Sequence, residues 1–172
     1  MEKITLGQTN EQVSVISLGT WSYGKENTSG RANVGWADQS DHDSKLALLK
    51  AYSCEINHWD TADVYGEGHS EKVIGSMWAE IPRNKIFLAS KVGWDMGPYK
   101  HWYHPDYMKI KMERSLKHLK TDCVDLMYLH HCNFGNNNEY LDDAVEMIYR
   151  FKEEGKIRFI GLSDWSSNKI LE

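Results

Sequence analysis

The feature that most constrains this chain is an alternation, repeated five times, between a short apolar run and a segment of helical periodicity. Alternation of this kind builds βα units and a parallel sheet, because consecutive strands of one direction need a crossover long enough for a helix. The apolar runs are Ile16–Thr20, Glu55–Asp60, Lys85–Lys91, Cys123–His130 and Ile157–Leu162. Helices are expected over Ser44–Cys54, with Asp41 or Asp43 as cap, and over Ser70–Ala79. A third opens at His104-Pro105-Asp106, where proline forfeits only an amide that had no partner, and Met108, Met112, Leu116 and Leu119 form its buried stripe. The fourth spans Tyr140–Glu154, with Leu141, Ala144, Val145, Ile148 and Phe151 facing inward and Gly155 as a left-handed stop. A fifth start, at Ser166-Ser167, follows the last strand.

Ahead of these units, Lys3–Gly7 and Gln12–Val15 read as a β-hairpin turning through Gln8-Thr9-Asn10. Ile16–Thr20 is expected to be a buried strand and Trp21–Asp41, rich in glycine and tryptophan, a long functional loop. A closed eight-stranded α/β barrel takes about 250 residues. The 172 residues here are therefore expected to form a single partial domain of the (β/α)8 TIM-barrel type over 1–172, stopped after about five βα units. A doubly wound open sheet is the competing architecture, but Gly19-Thr20-Trp21-Ser22-Tyr23-Gly24 does not fit its phosphate-binding turn.

Composition narrows the function. A net charge of −5 with no basic stripe argues against nucleic acid as a partner, and apolar runs of a few residues argue against a membrane span. The start, Met1-Glu2-Lys3-Ile4-Thr5-Leu6-Gly7, lacks the pattern of a signal peptide, and three cysteines at unrelated spacings suit a reducing compartment. The expected location is the cytoplasm.

In a βα barrel the chemistry gathers at the carboxyl ends of the strands. There the sequence places Asp60 with Tyr65 just beyond, Lys91, His130, and Ser163 with Asp164. A lone polar residue at a strand end is usually a cap or a surface charge; four consecutive strands ending this way are harder to dismiss. The set suits proton donation to a carbonyl oxygen. An ammonium at Lys91 would favour the phenolate of Tyr65, Asp60 would hold that ammonium, and His130 would orient the substrate oxygen. Metal chemistry is not expected: His58, His130 and His131 lie near strand ends, but there is no His-x-His pair and Lys91 would put a cation in the pocket. Cys132, beside His131, reads as a rim cysteine.

Several long motifs then occur in one order: Asp60-Thr61-Ala62-Asp63-Val64-Tyr65-Gly66 with Gly68, Ser70 and Glu71; Ser90-Lys91-Val92-Gly93; Ser115 to Leu126; Tyr128-Leu129-His130; and Glu154 to Ser163. Together they resemble the aldo-keto reductases over essentially the whole chain, closest to the bacterial general-stress and potassium-channel beta-subunit branch. The resemblance implies a barrel enzyme that reduces an aldehyde or ketone with NADPH, or with NADH. It assigns Asp60, Tyr65, Lys91 and His130 as the catalytic tetrad with Tyr65 as proton donor, and alignment with the family strand selects His130 over His131. Ser163 and Asp164 match the pair at the nicotinamide carboxamide, where an aspartate in place of the common asparagine can accept but not donate. Asp60, Gly19, Thr20 and Trp21 are the further cofactor candidates, and Trp21, Tyr23 and Trp94 the expected pocket walls. The family's remaining strands would carry the groups that stack on the nicotinamide and grip the phosphates. The chain is therefore expected to be part of a longer protein, or to need an oligomeric partner or a complementing C-terminal segment. A non-catalytic subunit is the alternative.

Overall fold

The computed structural model describes residues 1–29, 32–33 and 35–171, the side chains of 28, 29, 32 and 33 apart. β1 (Lys3–Thr5) and β2 (Gln12–Ser14) form the antiparallel hairpin, with Ile4 opposite Val13. The five βα strands are β3 (Ser17–Gly19), β6 (His58–Asp60), β7 (Phe87–Val92), β8 (Val124–Leu129) and β9 (Ile157–Leu162), hydrogen-bonded in chain order and parallel throughout. Between β3 and β6 lie the two-residue strands β4 (Thr28–Ser29) and β5 (Ala32–Asn33), paired antiparallel, and α1 (Asp41–Ser53). The expected long loop thus begins with a 3-10 turn at Trp21–Gly24 and contains a small ribbon; its residues 30, 31 and 34 lie outside the described residues. The remaining helices are α2 (His69–Gly75), α3 (Pro105–Leu119), α4 (Leu141–Glu153) and α5 (Ser167–Leu171).

The sheet buries both faces. On the helix side, Trp59, Leu88, Met127 and Leu129 pack against Leu48, Ile74, Met108, Met112, Leu119 and Phe151. Each such side chain, fully buried, contributes about 1.5–3 kcal/mol relative to exposure. On the other face, Phe87, Ala89 and Leu126 meet Val13 of the hairpin, with Leu6 and Phe159 alongside. Alternation and register decide what shares that inner face. Asp60 sits opposite Ala89, and Lys91 opposite Tyr128. His130 continues the same alternation two residues after Tyr128, its amide donating to the Val92 carbonyl at 2.9 Å.

Several local expectations are corrected. The cap of α1 is Ser40: its hydroxyl oxygen accepts from the Asp43 amide at 3.0 Å while it donates to the Asp43 carboxylate at 2.6 Å. Asp41 and Asp43 instead supply charge to the first turn. Glu55 to Asn57 do not begin a strand. Glu55 takes a left-handed φ of 61° and the Ile56 amide returns to the Ala51 carbonyl, so these residues end α1. α2 stops at Gly75, where the Ser76 hydroxyl competes for the Val73 carbonyl at 2.7 Å. β3 is not a buried strand: Ser17 and Gly19 are exposed and Leu18 half-buried, because β6 is its only described neighbour. Val145 lies outward, 39% exposed, whereas Gly155 adopts the expected left-handed φ of 72°.

Candidate active site

At the carboxyl end of the sheet a cleft of about 820 Å³ is lined by Tyr65, Lys91, His130, Trp21, Trp94 and Ser163 among others. Lys91 organises it. The residue stands at the end of β7 and is 7% exposed, and its ammonium donates to Asp60 Oδ1 at 2.5 Å, to the Thr61 carbonyl at 2.8 Å and to the Tyr65 hydroxyl at 3.1 Å. An ammonium has three N–H donors, so each finds one acceptor. The Tyr65 ring lies 6.1 Å from the His130 ring, edge to face, and 6.2 Å from the Trp21 ring, stacked.

Tyr65 is held by the backbone around it. Gly66, at a φ of +61°, passes so close to Gly24 that a Cβ would fall 1.9 Å from the Gly24 carbonyl oxygen. The Asn27 side-chain Nδ2 donates to the Val64 carbonyl at 2.7 Å. His130 is neutral: burial, then the neighbouring Lys91 and His131, push its imidazole down to about 3. Its Nδ1 is buried and, among the described residues, has no hydrogen-bond partner. His131 points elsewhere, its Nδ1 3.7 Å from Asp164 Oδ2.

Of the other residues singled out in the sequence, Trp21, Trp94, Ser163 and Asp164 line the cleft. Trp94 sits 5.5 Å from the His130 ring and 4.3 Å from His131. Asp164 is already engaged: Oδ2 accepts from the Cys132 amide at 3.0 Å and Oδ1 from the Ser166 amide at 2.9 Å. The Ser166 amide, with that of Cys132, holds its carboxyl below the usual carboxylate range. Gly19, Thr20 and Tyr23 are not brought to the cleft lining. Gly19 is exposed on the edge strand. Thr20 is fully buried, its hydroxyl donating to the Asp60 carbonyl at 2.9 Å and accepting from Ser70 at 2.8 Å. Tyr23, 5% exposed, belongs to the core with Leu48 and Trp59.

The sequence reading missed a charged group at the same cleft, formed by Asp63, Asp95, Lys111 and Arg114. Burial, reinforced by nearby Glu71 and opposed by Lys111 and Arg114, raises the Asp63 carboxyl to about 6. Partial burial works upward on Asp95 too, but hydrogen bonds from Lys111, Tyr107 and the Gly97 amide bring it down to about 2. One sequence signal was available: Lys111 stands between Met108 and Met112 on the face of α3 expected to be apolar. Among the described residues no group of three or more His, Cys, Asp or Glu side chains is arranged to hold a metal ion, and no helix is long and apolar enough to cross a membrane.

Comparison with known proteins gives one consistent answer. The model of the "Aldo/keto reductase family" matches residues 15–172. The "Uncharacterized oxidoreductase YqkF" of Bacillus subtilis is 33% identical, the match covering 100% of this chain and 52% of that protein. The "NADH-specific methylglyoxal reductase" of Escherichia coli is 29% identical, over 100% of this chain and 55% of that one. The Schizosaccharomyces pombe "Aldo-keto reductase yakc", whose name specifies NADP(+), is 34% identical over 78% of this chain and 40% of its own length. Among solved structures, the holo form of aldo-keto reductase AKR11C1 from Bacillus halodurans superposes with a TM-score of 0.78 at 29% identity, covering 99% of this chain and 53% of that one. The chain spans about half the length of these relatives.

Proposed function

The chain belongs to the aldo/keto reductase family, and from that premise we propose that its cleft takes part in reducing the carbonyl group of an aldehyde or ketone, with NADPH or NADH as reductant. The observation that carries the reading is the Lys91 ammonium, hydrogen-bonded at once to Asp60 and to the Tyr65 hydroxyl in a cleft that His130 also lines.

The residues present fit the nicotinamide end of such a cofactor. The Ser163 hydroxyl lines the cleft and, among the described residues, makes no hydrogen bond, so it is free to meet a carboxamide. Asp164 keeps only its second lone pairs for the same purpose. Among the described residues every cation lining the cleft is already committed within the protein, Lys91 to Asp60, Lys111 to Asp63 and Asp95, and Arg114 to the Asp63 carbonyl. Binding of the phosphates by this chain alone is therefore expected to be weak.

When bound, the reduced nicotinamide supplies a hydride to the carbonyl carbon. Tyr65 gives its hydroxyl proton to the carbonyl oxygen, and the Lys91 ammonium stabilises the charge left on the phenol oxygen. Asp60 and the Thr61 carbonyl keep that ammonium in place. His130, kept neutral by burial, orients the carbonyl oxygen through a ring N–H without adding a second positive charge. Trp21 and Trp94 give the carbonyl compound apolar walls. The remaining half of the barrel is supplied by the rest of a longer chain, by an oligomeric partner or by a complementing carboxyl-terminal segment, and the protein acts in the cytoplasm.

The test is NADPH and NADH oxidation with a panel of aromatic aldehydes and small ketones, by the chain alone and by the chain joined to the carboxyl-terminal half of the B. subtilis relative. Turnover by the joined protein, with little by the chain alone, is the expected result. A joined protein that folds, binds nicotinamide and reduces none of the panel would refute the assignment.

A further inference from the structure

The buried face of α3 carries Tyr107, Met108, Lys111, Met112, Ser115 and Leu119. Lys111, 2% exposed, is the exception, since a lysine is seldom buried unless its ammonium is satisfied. Here it meets two carboxylates from two separate loops. Its Nζ lies 3.2 Å from Asp63 Oδ2 and 2.8 Å from Asp95 Oδ2. Burial draws Lys111 down, but the two carboxylates outweigh it and keep the ammonium above the ordinary lysine range.

Each carboxylate is fixed to a cleft wall. Asp63 stands two residues before Tyr65, its amide donating to the Lys91 carbonyl at 3.2 Å and its carbonyl accepting from Arg114 at 3.1 Å. Asp95 follows Trp94 directly and also accepts from the Tyr107 hydroxyl at 2.6 Å and the Gly97 amide at 2.8 Å. A methionine at position 111 would fill the same space without desolvating a charge, so core packing does not call for a lysine. What the charge adds is a connection between the β6–α2 loop and the β7–α3 loop.

We propose that Lys111 is a positioning residue of the cleft, whose ammonium ties the Tyr65 loop to the Trp94 loop and so fixes the proton donor relative to the wall opposite. The carbonyl reduction this would serve rests on the function proposed above; the tie itself is a matter of loop geometry. It acts through Asp63 and Asp95 and touches no reacting atom.

The test uses fluorine NMR of the protein carrying 5-fluorotryptophan or 3-fluorotyrosine, with Trp94→Phe and Tyr65→Phe to assign the two signals. Lys111→Met alone leaves buried Asp63 with only the more distant Arg114, 3.8 Å away, as counter-charge and is expected to fold poorly. The paired variant Lys111→Met/Asp63→Asn removes both charges at nearly constant volume, and Asp95→Asn cuts the tie at its exposed end. In both of these the Trp94 and Tyr65 signals are expected to shift together, while Trp59 and Trp78, stacked in the core at 6.1 Å, keep theirs. A folded paired variant with both cleft signals unmoved overturns the proposal. So does a Trp94 shift in Asp95→Asn with Tyr65 unmoved, or a shift shared equally by Trp59 and Trp78, which would make Lys111 a support of the core. Where carbonyl turnover is measured, the paired variant is expected to lose at least tenfold in kcat with little change in KM. Absence of turnover in the unaltered protein would refute the reductase reading and leave the fluorine result standing.

Discussion

The hydroxyl oxygen of Tyr65 accepts a hydrogen bond from the Lys91 ammonium at 3.1 Å, joining groups 26 residues apart in the chain. With the other two ammonium protons on Asp60 and Thr61, the head group has no unassigned donor. In the proposed reduction this leaves the Tyr65 hydroxyl proton for an acceptor in the cleft.

Removing that proton isolates its role. Tyr65→Phe is expected to lower kcat in the assembled enzyme by about 10²–10⁴-fold, the usual share of general acid catalysis. Stability should change by no more than about 1 kcal/mol, the net worth of one hydrogen bond. Steady-state cofactor oxidation beside a urea melt checks both, and retained turnover would remove Tyr65 from the proton-donor role.

Gly66 governs where that tyrosine stands. At a φ of +61° and with Gly24 against it, any Cβ forces the two loops apart. Gly66→Ala is expected to cost about 3 kcal/mol or more, as overpacking with backbone displacement does, and to lower activity beyond what the lost stability explains. Thermal unfolding and kinetics on the folded fraction separate the two effects.

His130 gives the fold an acid-sensitive term. Its folded pKa of about 3 lies below the unfolded value of about 6.5, so below pH 6.5 the unfolded chain binds a proton that the native state refuses. Stability is thus lost as pH falls from about 6.5 toward 3, by about 2 kcal/mol at pH 5. Urea denaturation at pH 7.5 and 5.0 should show this loss, and His130→Gln should reduce it.

Asp63 works in the opposite direction. Its folded pKa, raised to about 6, exceeds the unfolded carboxylate value near 3.9, so the native state holds the extra proton between them. Stability from this group falls as pH rises through about 3.9 to 6, by about 3 kcal/mol in full. In the His130→Gln background, where the opposing slope is gone, Asp63→Asn should flatten the remaining dependence. An unchanged slope would mean that Asp63 stays ionised across this range.

The strands were the most legible part of the chain. β8 and β9 lie within or on the expected runs, and β7 passes the end of its own by one residue, to Val92, because their residues are apolar and bounded by turn residues; α3 begins at Pro105 as expected. The shortfalls came where side chains and backbone made contacts that spacing does not encode. Ser40 outcompeted two aspartates for the cap of α1, and Glu55 went into a helix-ending turn. Tyr23 looked like a pocket wall because it follows a strand end, yet the 3-10 turn at Trp21–Gly24 rotates it into the core while Trp21 stays at the cleft.

The sequence alone determined the parallel βα order, the family, and the three polar residues Tyr65, Lys91 and His130 that line the cleft, with Asp60 behind Lys91, because strand alternation and long motifs are local properties of the chain. Tertiary structure decided the rest. It showed that Thr20 is consumed in an internal hydrogen-bond network, that Asp164 is held by two backbone amides, and that a lysine on a buried helix face joins two loops. Such assignments depend on which groups compete for the same donors and acceptors once α3 lies against the sheet, and that competition exists only in the folded protein.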